Sequence, residues 1–529
     1  MKRYILLSLL AVSFAVQAQD TYMNERLINN SGDVIGTARY VGMGGALGAL
    51  GADMSVISWN PAGIGLYRKN DIALTFGGIW GKSHIAEENR GTGTFDQAGF
   101  VYNMKIDSET CPYVNFSFNF QKKINFNQNF YADNPNLYEL SQLDQLAELI
   151  DWDRGASNLA RMAYEDGFFL KRIDSDGDGY HINKYGSSSS NTYTHHSEGS
   201  LQSFDFNLST NIKNRAFLGL TVGVDNMRYR GWNYYSEYDL DGREKYGVSN
   251  DTHISGTGVN VKFGTIIRPF ENSSFRVGLV VETPTWYRLR NSTLFYMKRG
   301  PNYGGVYTKE WENLDENKYP CKFNLRSPWK VRTSIGSTIG TTFAWDIDYE
   351  YAAYTGTSMG YPDVFYDDGS TSGNIKDVPM NKHISDNLRG THTLRVGLEA
   401  NATKNLVFRL GYNLSTSAYE KNISYDQYVL ASESSLSMSY STSTNYMRLG
   451  ATNILTLGVG YRTKNFYVDL AYKIRHQKAD FYAFDTNFAQ TANGTEFAAD
   501  NPALADRTID PVNVDLTRHA ITCTLGFKF

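Results

Sequence analysis

The sequence predicts an all-β fold, a 14-stranded antiparallel transmembrane β-barrel. Three observations predict it. Apolar and polar residues alternate over segments of about ten residues or more, the connections between these segments alternate between long and short, and the last segment ends in Phe529. Tilted membrane strands need about this length, and outer-membrane barrels carry short turns at one rim and long loops at the other.

The segment 466–475 illustrates the alternation. Phe466, Val468 and Leu470 share one face, and Asp469 and Lys473 share the other. Fourteen such segments are found near 70–82, 97–107, 113–127, 200–213, 216–231, 253–268, 274–290, 328–340, 342–354, 391–402, 406–418, 447–463, 466–477 and 518–529. An even number fits a closed bacterial barrel.

The connections distinguish a barrel from a soluble sandwich, which would show the same alternation of residues. Short turns, such as those near 213–215 and 403–405, alternate with long segments. The long segments are 128–199, 232–252, 291–327, 355–390, 419–446 and 478–517. A sandwich gives no reason for this regular alternation, so the membrane barrel is favoured.

Composition excludes several classes of protein. The 529 residues carry 51 basic and 55 acidic side chains, a net charge of −4, which argues against a nucleic-acid-binding protein. The glycine-rich stretch 38–53 contains no GxGxxG and follows no strand, so no nucleotide site is expected there. No motif calls for a cofactor, and no Ser/His/Asp arrangement is recognisable, so we expect neither catalytic residues nor an enzyme.

The N-terminus has the features of a secretory signal peptide, residues 1–18. Lys2 and Arg3 precede an apolar stretch too short to span a bilayer, and small residues end at Ala18, where we predict cleavage. Residues 19–69 do not alternate and are expected to form a separate segment before the barrel, which spans 70–529. The terminal strand ending in Phe529 resembles the signal recognised by the bacterial barrel-insertion machinery, a predicted partner.

The segment 19–69 carries a family resemblance. The small residues of 38–53 are followed by Trp59 and then by Asn60, Pro61, Ala62 and Gly63. This pattern resembles the N-terminal hatch of FadL-type outer-membrane transporters of long-chain fatty acids and aromatic hydrocarbons. The resemblance implies that residues 19–69, hereafter the hatch, plug the lumen of a barrel in the bacterial outer membrane. It also implies passive uptake of a hydrophobic small molecule, which outer loops capture and which leaves sideways into the lipid. The chain is expected to be a monomer in contact with outer-membrane lipids.

The loop 128–199 is the predicted capture site. Apolar residues at mainly three-residue spacing predict an amphipathic helix over 136–150, and a second helix is expected over 156–164. Leu140, Leu143, Phe168 and Phe169 are the candidate ligand contacts. A loop helix that packs over the barrel mouth would show the same pattern.

Arginines on polar strand faces are the second group of candidates. Arg332, Arg395 and Arg409 would suit a ligand carboxylate, because the guanidinium group binds carboxylates in a bidentate manner. The alternative, which we favour, is an ion-pair network in the lumen. Its acidic members would be Asp346, Asp348, Glu350, Glu399 and Asp469.

A calcium site is the weakest candidate. Asp174, Asp176 and Asp178 are spaced like the start of a calcium loop, but Tyr185 stands where such a loop needs Glu. An acidic turn is favoured, and no metal is predicted. Three alternative functions stay open: an open hydrophilic porin, a barrel enzyme and an adhesin.

Overall fold

The structure is a computed structural model and describes most of the chain. The described residues are 33–81, 91–138, 140–150, 157–165, 170–172, 180–182, 188–302, 308–311, 321–362, 364–365, 371–420, 435, 441–484 and 509–529. The predicted signal peptide, the beginning of the hatch, Phe168, Phe169 and the three aspartates at 174, 176 and 178 lie outside them.

Fourteen antiparallel strands form the wall, and some consist of two segments. They are β1 (Asp71–Gly81), β2 (Thr92–Lys105), β3 (Tyr113–Asn125 and Gln128–Asn134), β4 (Ser190–Ile212), β5 (Ala216–Tyr238), β6 (Glu244–Ile267), β7 (Arg276–Glu282 and Trp286–Arg299), β8 (Cys321–Arg326 and Lys330–Ile339), β9 (Phe343–Ala352 and Ser358–Tyr361), β10 (Thr391–Asn401), β11 (Leu406–Ser415), β12 (Tyr446–Arg462), β13 (Phe466–Tyr482) and β14 (Val512–Asp515 and Arg518–Lys528). All fourteen predicted segments overlap these strands.

The wall is closed. Each strand pairs with its neighbour in sequence, and β1 pairs with β14 from Asp71 opposite Lys528 to Gly81 opposite Arg518. The first and last strands therefore have no free edge, and the backbone of a closed barrel is satisfied within the sheet. The predicted 14-stranded barrel is confirmed.

The outer surface carries an apolar belt. Along β1, Ile72, Leu74 and Phe76 are exposed while Ala73 and Thr75 are buried, and the other wall strands repeat this pattern. Large exposed apolar side chains alternating with buried ones are the pattern of a lipid-facing barrel wall. No helix among the described residues is long and apolar enough to cross a membrane.

Three neighbouring strands, β4, β5 and β6, are longer than a membrane strand requires. They contain 23, 23 and 24 residues and extend beyond the belt on the side of the long loops. Tilted membrane strands need only about 9–11 residues. The sequence predicted these strands too short, at 200–213, 216–231 and 253–268.

Helices are short and lie in the hatch and the loops. They are α1 (Ala38–Gly42), α2 (Gln142–Ile150), α3 (Asn158–Glu165) and α4 (Val378–Asn387), with 3-10 helices at Met54–Ser58, Pro61–Leu66 and Tyr354–Gly356. Two-residue to four-residue strands occur in the loops at Leu170–Arg172, Tyr180–Ile182, Thr308–Trp311, Val364–Phe365, Thr371–Ser372 and Ile375–Lys376.

The interior contains two main apolar clusters. One belongs to the hatch and includes Val41, Ile57 and Trp59. The other lies on the side of the long loops and includes Leu140, Phe295 and Phe481. The lumen is therefore filled at two levels, and the region between the levels holds the candidate site.

Candidate functional site

The hatch folds through its own short-range hydrogen bonds. The Thr37 hydroxyl accepts from the Tyr40 backbone N–H at 3.1 Å, which caps α1, and donates to the Asp53 carboxylate at 2.8 Å. Asp53 in turn accepts from the Ser55 N–H at 2.9 Å and caps the next helix. Such side chains satisfy helical N–H groups that have no partner in the helix. The buried hydrogen bond between Thr37 and Asp53 thus links two helical turns of the hatch.

The motif from Asn60 to Gly63 joins the hatch to the wall. The Asn60 side-chain oxygen accepts from the Ala62 N–H at 3.1 Å, while its amide donates to the Gly48 carbonyl at 2.7 Å and to the Thr265 carbonyl of β6 at 3.3 Å. The Gly63 carbonyl accepts from the Ala52 N–H at 3.0 Å. In the structure the motif forms part of the attachment of the hatch.

Glycines in the wall make room for this motif. Gly219 of β5 and Gly264 of β6 lie opposite each other. A Cβ atom at Gly219 would lie 2.3 Å from the Pro61 carbonyl carbon, and one at Gly264 would lie 2.3 Å from the Asn60 side-chain oxygen. Only glycine permits this approach of backbone to backbone.

A second pair of wall glycines receives the turn after α1. A Cβ atom at Gly411 of β11 would lie 2.0 Å from the Gly44 nitrogen, and one at Gly397 of β10 would lie 2.5 Å from the Met43 carbonyl oxygen. Gly44 itself has a φ of 64°. The hatch is therefore fitted to the wall at two separate places.

Acidic residues of β9 bind the hatch backbone. Asp346 accepts from the Ala49 and Leu50 N–H groups at 3.0 and 2.7 Å. Asp348 accepts from the Gly48 N–H and, at 2.7 Å, from the Trp59 indole N–H. The sequence placed both carboxylates in the lumen but did not indicate that the hatch backbone would be their partner.

Arg332 and Arg395 both contact Trp59. Arg332 forms ion pairs with Glu282 and, at 2.6 Å, with Glu350, and it donates to the Trp59 carbonyl. The Arg395 guanidinium stacks on the Trp59 ring, 3.5 Å from its centroid, and donates to the Tyr40 hydroxyl at 2.6 Å. Cations over indole rings are stabilised by the ring quadrupole.

Arg409 belongs to a second group of ion pairs in the lumen. It forms ion pairs of 2.7 Å with both Glu399 and Asp469, and Arg39 of the hatch shares Glu399 at 3.0 Å. All three predicted arginines are buried in the lumen. Arg332 and Arg409 form ion pairs, as the favoured alternative describes, whereas Arg395 binds the Tyr40 hydroxyl, the Gly45 carbonyl and the Trp59 ring. Arg332 and Arg395 border the cavity described below, and their role as ligand contacts stays a prediction.

Asp33 provides a further attachment. Its carboxylate is 2.7 Å from the Lys473 ammonium and 3.6 Å from the Arg518 guanidinium. Burial alone would raise the pKa of this carboxyl group, but the nearby cations Lys473, Arg518 and Arg475 lower it below its usual range. Asp33 therefore stays ionised and holds the hatch by charge.

A cavity lies between the hatch and the loop-side apolar cluster. Its empty volume, including the opening to solvent, is about 1000 Å³. Tyr40 and Trp59 of the hatch form one side, while Leu201, Tyr287 and Leu325 of the loop-side cluster form the other.

The wall beside the cavity is irregular. β7 is interrupted at 283–285, β8 at 327–329 and β9 at 353–357, so three adjacent strands break near the same level. Pro284 and Pro328 lie in two of these breaks, and proline cannot donate a ladder hydrogen bond. Thr285, Ser327 and Thr357, one from each break, line the cavity.

The predicted capture loop is packed over the barrel. Helix α2 begins at Gln142 rather than at 136, because Tyr138 has a φ of 50° and Ser141 and Asp144 cap the helix start. Leu140 and Leu143 are 1% and 3% exposed and belong to the loop-side cluster. Their packing matches the alternative of a loop helix over the mouth, and ligand contact by these side chains stays a prediction.

Glu237 of β5 anchors that loop. Its buried carboxylate accepts from the Gln142 N–H at 2.7 Å, from the Ser141 hydroxyl at 2.7 Å and from the Tyr235 and Tyr246 hydroxyls at 2.6 and 2.7 Å. With the Ser188 hydroxyl, five donors at one carboxylate stabilise a charge that would otherwise be costly to bury. The sequence did not single out Glu237.

The described part of the chain contains no group of three or more His, Cys, Asp or Glu side chains that could hold a metal ion. The aspartates at 174, 176 and 178 fall outside that part.

Comparison with known proteins finds similar solved structures. The CymD monoaromatic hydrocarbon channel is 10% identical, with a TM-score of 0.49 over 94% of this chain and 98% of that chain. A FadL homologue of Pseudomonas aeruginosa is 11% identical, with a TM-score of 0.48 over 97% and 100%. The toluene transporter TbuX of Ralstonia pickettii is 11% identical, with a TM-score of 0.47 over 94% and 99%. No protein-family model and no curated protein matches the chain.

Proposed function

We propose that this chain is a transport protein of the bacterial outer membrane for the passive uptake of hydrophobic small molecules, such as long-chain fatty acids. The observation that carries the proposal is the cavity between a plugged lumen and an apolar cluster under the long loops. A solute that enters from the loop side meets apolar surface first and the hatch second. An apolar molecule gains free energy from each step away from water.

The hatch supports this proposal against an open hydrophilic porin. Its buried residues include Val34, Ala38, Met43, Leu47 and Ile64, each with no measurable exposure. A 14-stranded barrel would conduct water if it were empty. The packed hatch closes the direct route for water-soluble solutes, so transport requires a specific path.

The cavity lining favours a molecule with both an apolar part and a negative charge. Apolar and aromatic side chains line much of it, together with five basic and four acidic residues. The basic residues are Lys123, Lys262, Lys330, Arg332 and Arg395, and the acidic residues are Asp33, Asp225, Glu282 and Glu350. We infer that a carboxylate end lies near the surplus positive charge and that the chain contacts Ile124, Leu201 and Leu325.

Lys330 offers the sharpest test, because the described residues show no short ion pair that binds it. Lys330→Gln is expected to weaken binding of a long-chain carboxylate about tenfold, since a hydrogen bond to a charged group is lost. Binding of the uncharged hydrocarbon of equal length should not change. Competition against a fluorescent fatty acid on the purified, detergent-solubilised protein measures both.

Lys105→Gln is the matched control. Lys105 is an exposed lysine at the end of β2, far from the cavity, and its loss should leave both ligands unaffected. Equal binding of the carboxylate by wild type and Lys330→Gln would contradict the placement of the charged end.

The remaining features of the proposal follow from the membrane location. We propose cleavage after Ala18, a hatch of 19–69 and a barrel of 70–529 that functions as a monomer without a cofactor and contacts lipid and the insertion machinery. We also propose that the protein is not an enzyme. Ester or peptide hydrolysis by the purified protein would favour the enzyme alternative instead, and host-cell binding by the long loops would favour an adhesin.

A further inference from the structure

The outer wall changes from apolar to basic just beyond the belt. Along β5, the exposed residues Leu220 and Val222 are followed on the same face by Arg228 and Arg230. Tyr229, between the two arginines, is buried, and Trp232, two residues beyond Arg230, is exposed on the same outer face. The arginines therefore point away from the barrel, on the side of the long loops.

The strands β7 and β8, which follow β6, show the same change from apolar to basic residues on the outer face. On β7, exposed Val281 is followed by exposed Trp286 and then by Arg288 and Arg290. Tryptophan marks the boundary between hydrocarbon and headgroups on barrel walls.

β8 is antiparallel to β7, so on β8 the same order of residue types runs from higher to lower residue numbers. Val331 and Trp329 are exposed, and Arg326 and Lys322 lie beyond them on the outer face, separated by buried Phe323 and Leu325. Two strands, β7 and β8, thus place cations just outside an interfacial tryptophan, and β5 places Arg228 and Arg230 beyond the belt on the same side.

The strand register assembles these cations into one surface. Arg228 lies opposite Ser255, Ser255 lies opposite Arg290, and Arg290 lies opposite Lys322, so the three cations share one row across four strands. On the same face, Arg288 lies opposite Asn324 in the next row, and Arg326 lies opposite Trp286 in the row after that, nearer the belt. Strands lie about 4.8 Å apart, so the row is about 14 Å long. We name this surface the outer basic patch, formed by Arg228, Arg230, Arg288, Arg290, Lys322 and Arg326.

Few acidic groups compensate the patch. Asp251 forms an ion pair of 2.9 Å with Arg230, and Glu198 lies opposite Arg230 on β4. Among the described residues, no ion pair joins an acidic side chain to the other five cations. Like charges directly opposite in a sheet, such as Arg290 and Lys322, destabilise it. An anionic ligand on the outer face would remove that repulsion.

We propose that the outer basic patch binds the phosphate groups of phosphorylated lipid headgroups in the membrane leaflet on the side of the long loops. The level of the patch, next to the interfacial tryptophans, is the level at which lipid phosphates lie. Guanidinium groups bind phosphate oxygens in a bidentate manner, and several in a row suit a headgroup that carries more than one phosphate. The bound lipid ties the projecting part of β5–β8 to the membrane surface.

The test uses the full-length, detergent-solubilised protein and bis-phosphorylated lipid A, with dephosphorylated lipid A as the second probe. Native mass spectrometry measures binding of both. Wild type is expected to prefer the phosphorylated lipid, and that preference should weaken as salt is added. The variant Arg228→Gln/Arg290→Gln/Lys322→Gln should bind it roughly one hundredfold more weakly, because each cation near an anionic surface contributes independently. Binding of the dephosphorylated lipid should stay the same.

The matched control is Lys105→Gln/Lys404→Gln/Lys464→Gln. It removes three exposed cations at the rim with the short turns and should bind the phosphorylated lipid as wild type does. Equal losses in the two triple variants would overturn the proposal, as would no loss in the patch variant. Equal binding of both lipids by wild type would overturn it without any variant. Fatty-acid binding is independent of this result, because the patch lies outside the barrel.

Discussion

Removal of the hatch is expected to convert the closed barrel into an open pore. In a variant that lacks residues 20–67, the bore of fourteen strands would fill with water, and entry of a small sugar should rise at least tenfold above wild type. Liposome swelling in an isotonic sugar solution measures this rate. The wall should survive, because the closing pairs of β1 and β14 begin at Asp71, beyond the deletion.

The polar residues that the hatch now covers would be hydrated in this variant. Asp346, Asp348 and Arg395 would exchange hatch partners for water, which avoids the cost of a buried unpaired charge. The heat-dependent gel mobility of folded barrels is the control for correct assembly. A correctly folded deletion variant that admits no more sugar than wild type would show that something other than the hatch closes the bore.

A valine at Gly411 is expected to displace the hatch without deleting it. The new Cβ atom would lie 2.0 Å from the Gly44 nitrogen, and Gly44 belongs to a turn of backbone that has no flexible side chain to move aside. Overpacking of this kind costs about 1–3 kcal/mol. Gly411→Val should therefore lower the thermal midpoint of the barrel, expose the hatch to protease and raise sugar entry.

Gly93→Val is the matched control, because Gly93 also lies in a wall strand but has no atom within 4 Å of the added Cβ. It should leave the thermal midpoint, the protease pattern and sugar entry near those of wild type. If Gly411→Val and Gly93→Val behaved alike, the close contact of hatch and wall would not be what holds the hatch.

The wall could be predicted from sequence because each membrane strand repeats one rule. Ile72 and Leu74 face outward and Ala73 inward, and the same period of two recurs in every strand. The extensions of β4–β6 were missed because the pattern of apolar outward residues ends beyond the belt. There inward residues such as Tyr235 and Tyr246 are aromatic, while outward residues such as Arg228 and Arg230 are charged.

The site could be predicted only in part. The polar faces placed Arg332, Arg395 and Arg409 in the lumen, but the hatch partners of Arg332 and Arg395 come from a distant part of the chain. Trp59 and Arg395 are an example, since no local pattern relates them.

The roles of glycine were the least predictable. Gly219 and Gly411 are distinguished from other strand glycines only by the hatch backbone that lies against them. The start of α2 at Gln142 likewise depends on Glu237, which lies on another strand.

The proposed function is tested by measuring the entry of two solutes with one sample of the intact protein. Proteoliposomes are given a labelled long-chain fatty acid presented on a carrier protein and, separately, an isotonic solution of a small sugar. The proposed function predicts that wild type speeds transfer of the fatty acid into the vesicles and does not raise sugar entry above that of protein-free vesicles. Rapid sugar entry without any effect on the fatty acid would contradict it and identify an open hydrophilic pore.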